Sequence, residues 1–233
     1  MRIPLAKGVA WMMAFKLGDR ALGLVSTVIL ARLLVPADFG LVAMAMSIIM
    51  LVELASAFGF EAALIQRQDA TRAHYDTAWT LNVIAGIVCG LGMMAVSYLA
   101  AGFYREPRLI AVIVVLSTAW IIQGFENVGI VAFRKELTFH REFLFMGAKK
   151  LAGFCVTIPL AIWLENHWAL VAGTVAGRFA GVVLSYLMHD FRPRFRIRAW
   201  RDLFSFSSWL VLNNALSFVL VRLSHFFVGK LYG

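Results

Sequence analysis

The chain has 233 residues, of which 61% are hydrophobic and only 15% charged, with a formal net charge of +9. Soluble globular domains are nearer half apolar and a quarter charged, so this composition places the chain in a membrane. The positive charge does not point to nucleic acid, because most basic residues sit between apolar runs, where membrane topology puts them.

Crossing the hydrocarbon core takes about 20 residues of helix. Seven segments meet that length, predicted at 9–34, 41–64, 77–101, 109–133, 143–164, 168–188 and 204–229. No ten-residue alternation of the β-barrel kind occurs, so the expected fold is all-α, a polytopic transmembrane helix bundle of six helices plus a seventh. The first run carries internal charges and lacks a short apolar core followed by a small-residue cleavage site, so it is read as a retained span. Twelve basic residues border one side of this topology, from Arg2 to the linker arginines up to Arg201. Four border the other: Arg32, Arg105, Arg108 and Lys230. That imbalance predicts a cytoplasmic N-terminus. Trp11, Trp79, Trp200 and Trp209 fall near the basic side, and Trp163 and Trp168 flank the opposite turn. The most basic connector, FRPRFRIRAWRDLF, separates the sixth span from the seventh. It is read as a topology signal and connector, with a grip on anionic headgroups as the other reading.

Charges at membrane depth are costly and usually face a protein interior or a wet cavity. In the first span Lys16 and Arg20 share a face at i, i+4, and Asp19 is three residues from Lys16. Either they line a cavity or they snorkel to the interface. Residues 21–34 alone are too short to span, which favours the cavity. Glu53 lies in the second span. In the fourth, Trp120, Gln123, Glu126 and Asn127 form a polar stripe. Arg178 is near the centre of the sixth, and Asn213, Asn214, Ser217, Arg222, Ser224 and His225 lie in the seventh. Lys149 and Lys150 are nearer the end of the fifth span and are expected to snorkel. The set Lys16, Arg20, Arg178 and Arg222 outnumbers the central acids and calls for an anionic guest such as phosphate or pyrophosphate. The competing reading is interhelical hydrogen bonding without transport. Gly173, Gly177, Gly181 and Ser185 recur every four residues, as do Gly86 and Gly90, which signals close helix packing. Cys89 and Cys155 have no metal or redox spacing, and no DxD, HExxH or GxSxG motif occurs, so neither an enzyme nor a cofactor is expected.

The runs TVILARLLVPADFGLVAMAMSII, AFGFEAALIQRQD and YDTAWTLNV, with the later WALVAG, FSFSSWL and VGKLYG, resemble bacterial polysaccharide exporters and O-antigen-type flippases. These form a branch of the multidrug/oligosaccharidyl-lipid/polysaccharide exporter superfamily. The resemblance implies two six-helix lobes around a central cavity in the bacterial inner membrane. It implies alternating access for an undecaprenyl-pyrophosphate-linked oligosaccharide. Implied partners are membrane lipids and polysaccharide polymerase or export proteins. On that likeness residues 1–200 are the N-terminal lobe with its basic linker, and 201–233 hold the first helix of a truncated second lobe. Lys16, Arg20 and Arg222 match the family's pyrophosphate-binding region by location, and Arg178 by inference. Asp38 matches the acid of the DFG turn, where it is expected to cap the second helix. Ser224 stands where many members have Asp. A drug or cation antiporter of the same superfamily and an inert half-transporter are the alternatives; the antiporter requires an acid-dominated cavity.

Overall fold

A computed structural model describes residues 3–55, 59–67, 69–136 and 138–203; the side chains of 3–16, 19, 51 and 53–55 lie outside that description. Among the described residues there are eight α-helices and no strand. They are α1 (Ile3–Leu33), α2 (Pro36–Ala55), α3 (Phe60–Gln66), α4 (Arg72–Tyr104), α5 (Arg108–Gly124), α6 (Val131–Lys135), α7 (Phe139–Leu164) and α8 (Trp168–Met188). A 3-10 turn, Val128–Ile130, precedes α6.

The chain runs up and down, as apolar helices joined by short loops must. α4 packs along α5, α5 on α8, α8 along α7, and α7 on α1, while α2 lies over α5 and α4. One end of the bundle gathers the start of α4, the ends of α5 and α8, and the start of α7. The opposite end gathers the turns between α1 and α2, α4 and α5, and α7 and α8. α4, α7 and α8 are each long and apolar enough to cross a membrane.

Two predicted spans are corrected. The second, 41–64, is not one helix: α2 ends at Ala55, and α3 begins after Gly59, whose φ of 63° lies in the left-handed region that glycine enters without a Cβ clash. The fourth, 109–133, breaks at Gly124, and its two helical parts meet at 66°. Asn127 makes the break, because its Oδ1 accepts the Gly129 N–H at 2.9 Å and starts the 3-10 turn. The first helix begins at Ile3, well before the expected Val9. The seventh span lies outside the described residues.

Glycine sets the helix spacing where backbones meet. A Cβ on Gly124 would stand 2.9 Å from the Asn82 carbonyl oxygen of α4, and one on Gly173 would stand 1.6 Å from Thr157 Oγ1 of α7. The apolar interior forms three clusters. The largest, around Leu41, Ala45, Met93, Leu109, Val112 and Ile113, joins α2, α4 and α5. A second, around Phe60, Leu64, Trp79, Val83, Val128 and Leu203, sits under the broken span. A third, Leu30, Leu34, Ala161 and Ala169, closes α1 against α7 and α8 at the opposite end. Buried Asp38 at that end accepts a hydrogen bond from His167 Nδ1 at 3.1 Å. Its carboxylate thus joins α2 to the α7–α8 turn; the expected capping position is corrected, because α2 begins at Pro36 and Asp38 lies inside its first turn.

Candidate functional site: cavities around the broken helix

The site is built from the break in the fourth span. Beyond Gly124 the polar stripe leaves helical geometry, and each side chain finds its own partner. Fully buried Asn127 donates its backbone N–H to Ser185 Oγ at 2.9 Å and its Nδ2 to the Phe191 carbonyl at 2.7 Å. It therefore ties the break to α8 and to the connector that follows. Glu126 Oε2 accepts from Lys149 Nζ at 2.7 Å, a charge-assisted contact between the broken span and α7. Lys149 reaches it by lying over Gly181, where a Cβ would come within 2.6 Å of the lysine Cε. The small-residue stripe of α8 thus admits a charged side chain as well as a neighbouring helix. Lys149 also stands 5.5 Å from the Phe145 ring centroid.

Three cavities lined by described residues adjoin this frame. The first, about 460 Å³, lies between α3, α4 and the break. Its walls include Glu61, Asn82, Gln123, Glu126, Asn127 and Arg134. Gln123 Oε1 is buried there without a hydrogen-bond partner among the described residues. The acids are balanced: Arg134 stands 3.8 Å from Glu61 and closer still to Glu142, and Glu126 holds Lys149. The second cavity, about 540 Å³, lies between α1, α2, α7 and α8. Lys149, Lys150 and Arg178 line it, with Ser26, Thr157 and Thr174, and no carboxylate is among its described lining. The third, about 260 Å³, is apolar apart from Thr174 and Arg178, and shares Met46, Thr174 and Arg178 with the second. Arg178 stacks over the Trp120 ring at 4.9 Å, a cation–π contact that holds its charge at the junction of the two.

Of the expected site residues, the structure brings Gln123, Glu126 and Asn127 to one cavity wall and Arg178 to another. Arg20 is exposed on α1. It lies three residues before Gly23, where a Cβ would stand 3.9 Å from Lys150 Nζ. Lys16, Asp19 and Glu53 belong to helices whose backbones are described, but their side chains lie outside the described set. Asn214 and Arg222 lie outside the described residues altogether. Sequence reasoning missed the inward placement of Lys149 and Lys150, and the participation of Glu61 and Arg134. The spacing of Lys149, Gly181 and Glu126 across three segments left no local signal.

The chain matches the polysaccharide biosynthesis protein family over residues 29–233. It belongs to that family. It is 26% identical over 91% of its length to the lipopolysaccharide biosynthesis protein WzxC of Escherichia coli K12, covering 44% of that protein. It is 21% identical over 81% of its length to the succinoglycan biosynthesis transport protein ExoT of Rhizobium meliloti, covering 38%. Against the teichuronic acid biosynthesis protein TuaB of Bacillus subtilis the figures are 22% over 75%, covering 37%. The chain thus spans less than half the length of these relatives. No solved structure gives a significant match.

Proposed function

We propose that this chain is the N-terminal lobe of a flippase that moves an undecaprenyl-pyrophosphate-linked oligosaccharide across the bacterial inner membrane, alongside polysaccharide polymerase and export proteins. The N-terminus is cytoplasmic on this reading, and residues 201–233 open the second lobe. The observation that carries it is the 540 Å³ cavity lined by Lys149, Lys150 and Arg178 with no carboxylate among its described walls. Lys149 is partly neutralised by Glu126, and the ammonium and guanidinium groups of Lys149, Lys150 and Arg178 on one cavity wall favour an anionic group by charge-assisted bonds. Lys16, Arg20 and Arg222 join them on this reading, and the apolar cavity beyond Arg178 accepts the first part of the lipid. Rocking of this lobe against a second would then expose the anion alternately to the two sides, as in other repeat-built transporters. The names of the relatives, polysaccharide biosynthesis and transport proteins, support the same direction. A cation antiporter fits less well, because each described acid of the mixed cavity faces a basic partner.

The test is export of lipid-linked sugar by the full-length transporter carrying Arg20→Ala, Lys150→Ala or Arg178→Ala. Loss of one charged hydrogen bond, roughly 1.5–3 kcal/mol, corresponds to about tenfold to hundredfold weaker binding of the anion. Unchanged export in all three variants at normal expression would remove the cationic site.

A further inference from the structure

The basic connector after α8 is a fixed structure whose order a topology signal does not require. It runs extended from His189 to about residue 197 and lies along the first turns of α4. Side chains of α4 hold its backbone: Asp76 Oδ1 accepts the Arg194 N–H at 3.0 Å, Thr80 Oγ1 the Arg196 N–H at 3.1 Å, and Thr77 Oγ1 the Ala199 N–H at 3.2 Å. Asp76 is fully buried. Its bonded oxygen takes an arginine's amide rather than its guanidinium. The guanidinium groups of Arg194, Arg196 and Arg198 are left outward, with no ion pair among the described residues, and all three are exposed.

Extended backbone sends alternate side chains to opposite sides. Arginines 192, 194, 196 and 198 occupy one parity, and Phe191, Pro193, Phe195 and Ile197 the other. Phe191 and Phe195 touch the bundle, against Tyr75 and Trp79 respectively. Yet Phe195 remains 68% exposed, Ile197 48% and Trp200 46%. Exposed apolar rings beside outward arginines would be a liability in water and suit a lipid interface.

The depth of the strap agrees. α4 has 33 residues, about 50 Å of helix against a hydrocarbon core of roughly 30 Å. Its first turns, where the strap lies, follow directly on the polar loop before Arg72, and the strap itself follows directly on the end of α8. Both elements leave the apolar layer at this level.

We propose that residues 191–201 form a docking strap for anionic phospholipid headgroups, with Arg194, Arg196 and Arg198 facing phosphates and Phe195, Ile197 and Trp200 set among the upper acyl carbons. Charge complementarity selects the partner: three outward cations at alternate positions, without an ion pair among the described residues, match an anionic leaflet, and arginine forks bind phosphate oxygens in pairs. The strap needs no second lobe and no transported substrate, so it stands apart from the function proposed above.

The test reconstitutes the chain in vesicles of phosphatidylcholine with phosphatidylglycerol, brominated in one arm on the anionic lipid and in the other on the zwitterionic lipid, at equal mole fraction. Quenching at Trp200 is the difference between the native chain and Trp200→Phe. Bromine on phosphatidylglycerol is expected to quench Trp200 more than bromine on phosphatidylcholine, and half-molar salt is expected to shrink the excess. In R194Q/R196Q/R198Q the excess should vanish, with helical content unchanged by circular dichroism. In R194K/R196K/R198K most of it should return, because the surface reads charge. Equal quenching by both lipids in the native chain would overturn the proposal. So would an excess that survives the glutamine variant, or that neither salt nor the lysine variant affects as stated.

Discussion

The contact between Glu126 and Lys149 shows how a charge can be held inside an apolar bundle at modest cost. Neither group is fully buried, at 16% and 23% side-chain exposure, and each supplies the other's counter-ion. Removing one partner leaves a mostly desolvated charge, which costs several kcal/mol when burial is complete and less here. Lys149→Met is expected to destabilise the protein by about 2 kcal/mol, read as thermal or denaturant unfolding in detergent. Glu126→Gln combined with Lys149→Met is expected to recover most of that loss, because the orphaned carboxylate is gone. Additive losses in the double variant would show that the pair does not act as a unit. The polar character of this stripe was readable from the spacing of Gln123, Glu126 and Asn127. Its partner was not. Snorkelling is the ordinary fate of a lysine near a helix end, and only the gap at Gly181 and the break after Gly124 bring Lys149 to an acid instead.

At the level of elements, apolar runs mark where helices lie but not where they break. The run from Leu41 to Leu64 and the run from Leu109 to Phe133 stay apolar on average despite Glu53, Glu61 and the stripe of Gln123, Glu126 and Asn127, so a hydropathy window cannot see a left-handed Gly59 or a capping Asn127. The break and the strap share one joint. Asn127→Ala would leave the buried Gly129 N–H without its partner, at a cost of about 1–3 kcal/mol, and would remove one of the two donors to the Phe191 carbonyl, which keeps only Arg192 Nη1 at 3.1 Å. The visible consequence should be faster tryptic cleavage among Arg192–Arg201, measured in detergent against the native chain; equal cleavage would detach the strap from the break. His189 belongs to the same joint. Its Nδ1 accepts the Phe191 N–H at 3.0 Å, which requires that nitrogen to be unprotonated. Burial lowers its pKa below the ordinary histidine value, opposed by Asp190 and Glu136 and assisted by Arg141 and Arg192. A lowered folded-state pKa contributes stability above the unfolded value, near 6.5, and that contribution is lost as pH falls through and below it. The melting temperature is therefore expected to drop between pH 7 and pH 5.5 by more in the native chain than in His189→Gln, and parallel drops would assign the effect to other groups.

For the molecule as a whole, the decisive property is the sign of the field inside each cavity. The two larger of these hollows differ in their charges: one pairs Glu61 and Glu126 with Arg134 and Lys149, and the other is lined by Lys149, Lys150 and Arg178. Low-dielectric walls focus a charge of one sign and concentrate ions of the other by tenfold or more. Thiol chemistry can read this directly. Cys89 and exposed Cys155 are first replaced by serine or alanine so that they do not contribute. Thr174→Cys then places a thiol in the cationic cavity, and Asn82→Cys places one in the mixed cavity. At Thr174→Cys a sulfonate-bearing thiosulfonate reagent is expected to react about tenfold faster than its trimethylammonium counterpart. At Asn82→Cys the two rates are expected to be similar, because acids and bases there are matched. Adding Lys150→Ala and Arg178→Ala should abolish the difference at position 174 while leaving position 82 unchanged. Comparing the two reagents at one thiol cancels that thiol's own reactivity, and the second position controls for reagent entry. A cationic reagent that reacts as fast as the anionic one at position 174 would mean that Glu126, water or groups beyond the described residues neutralise the lysines and arginine there, and the cavity would then offer an anion no advantage.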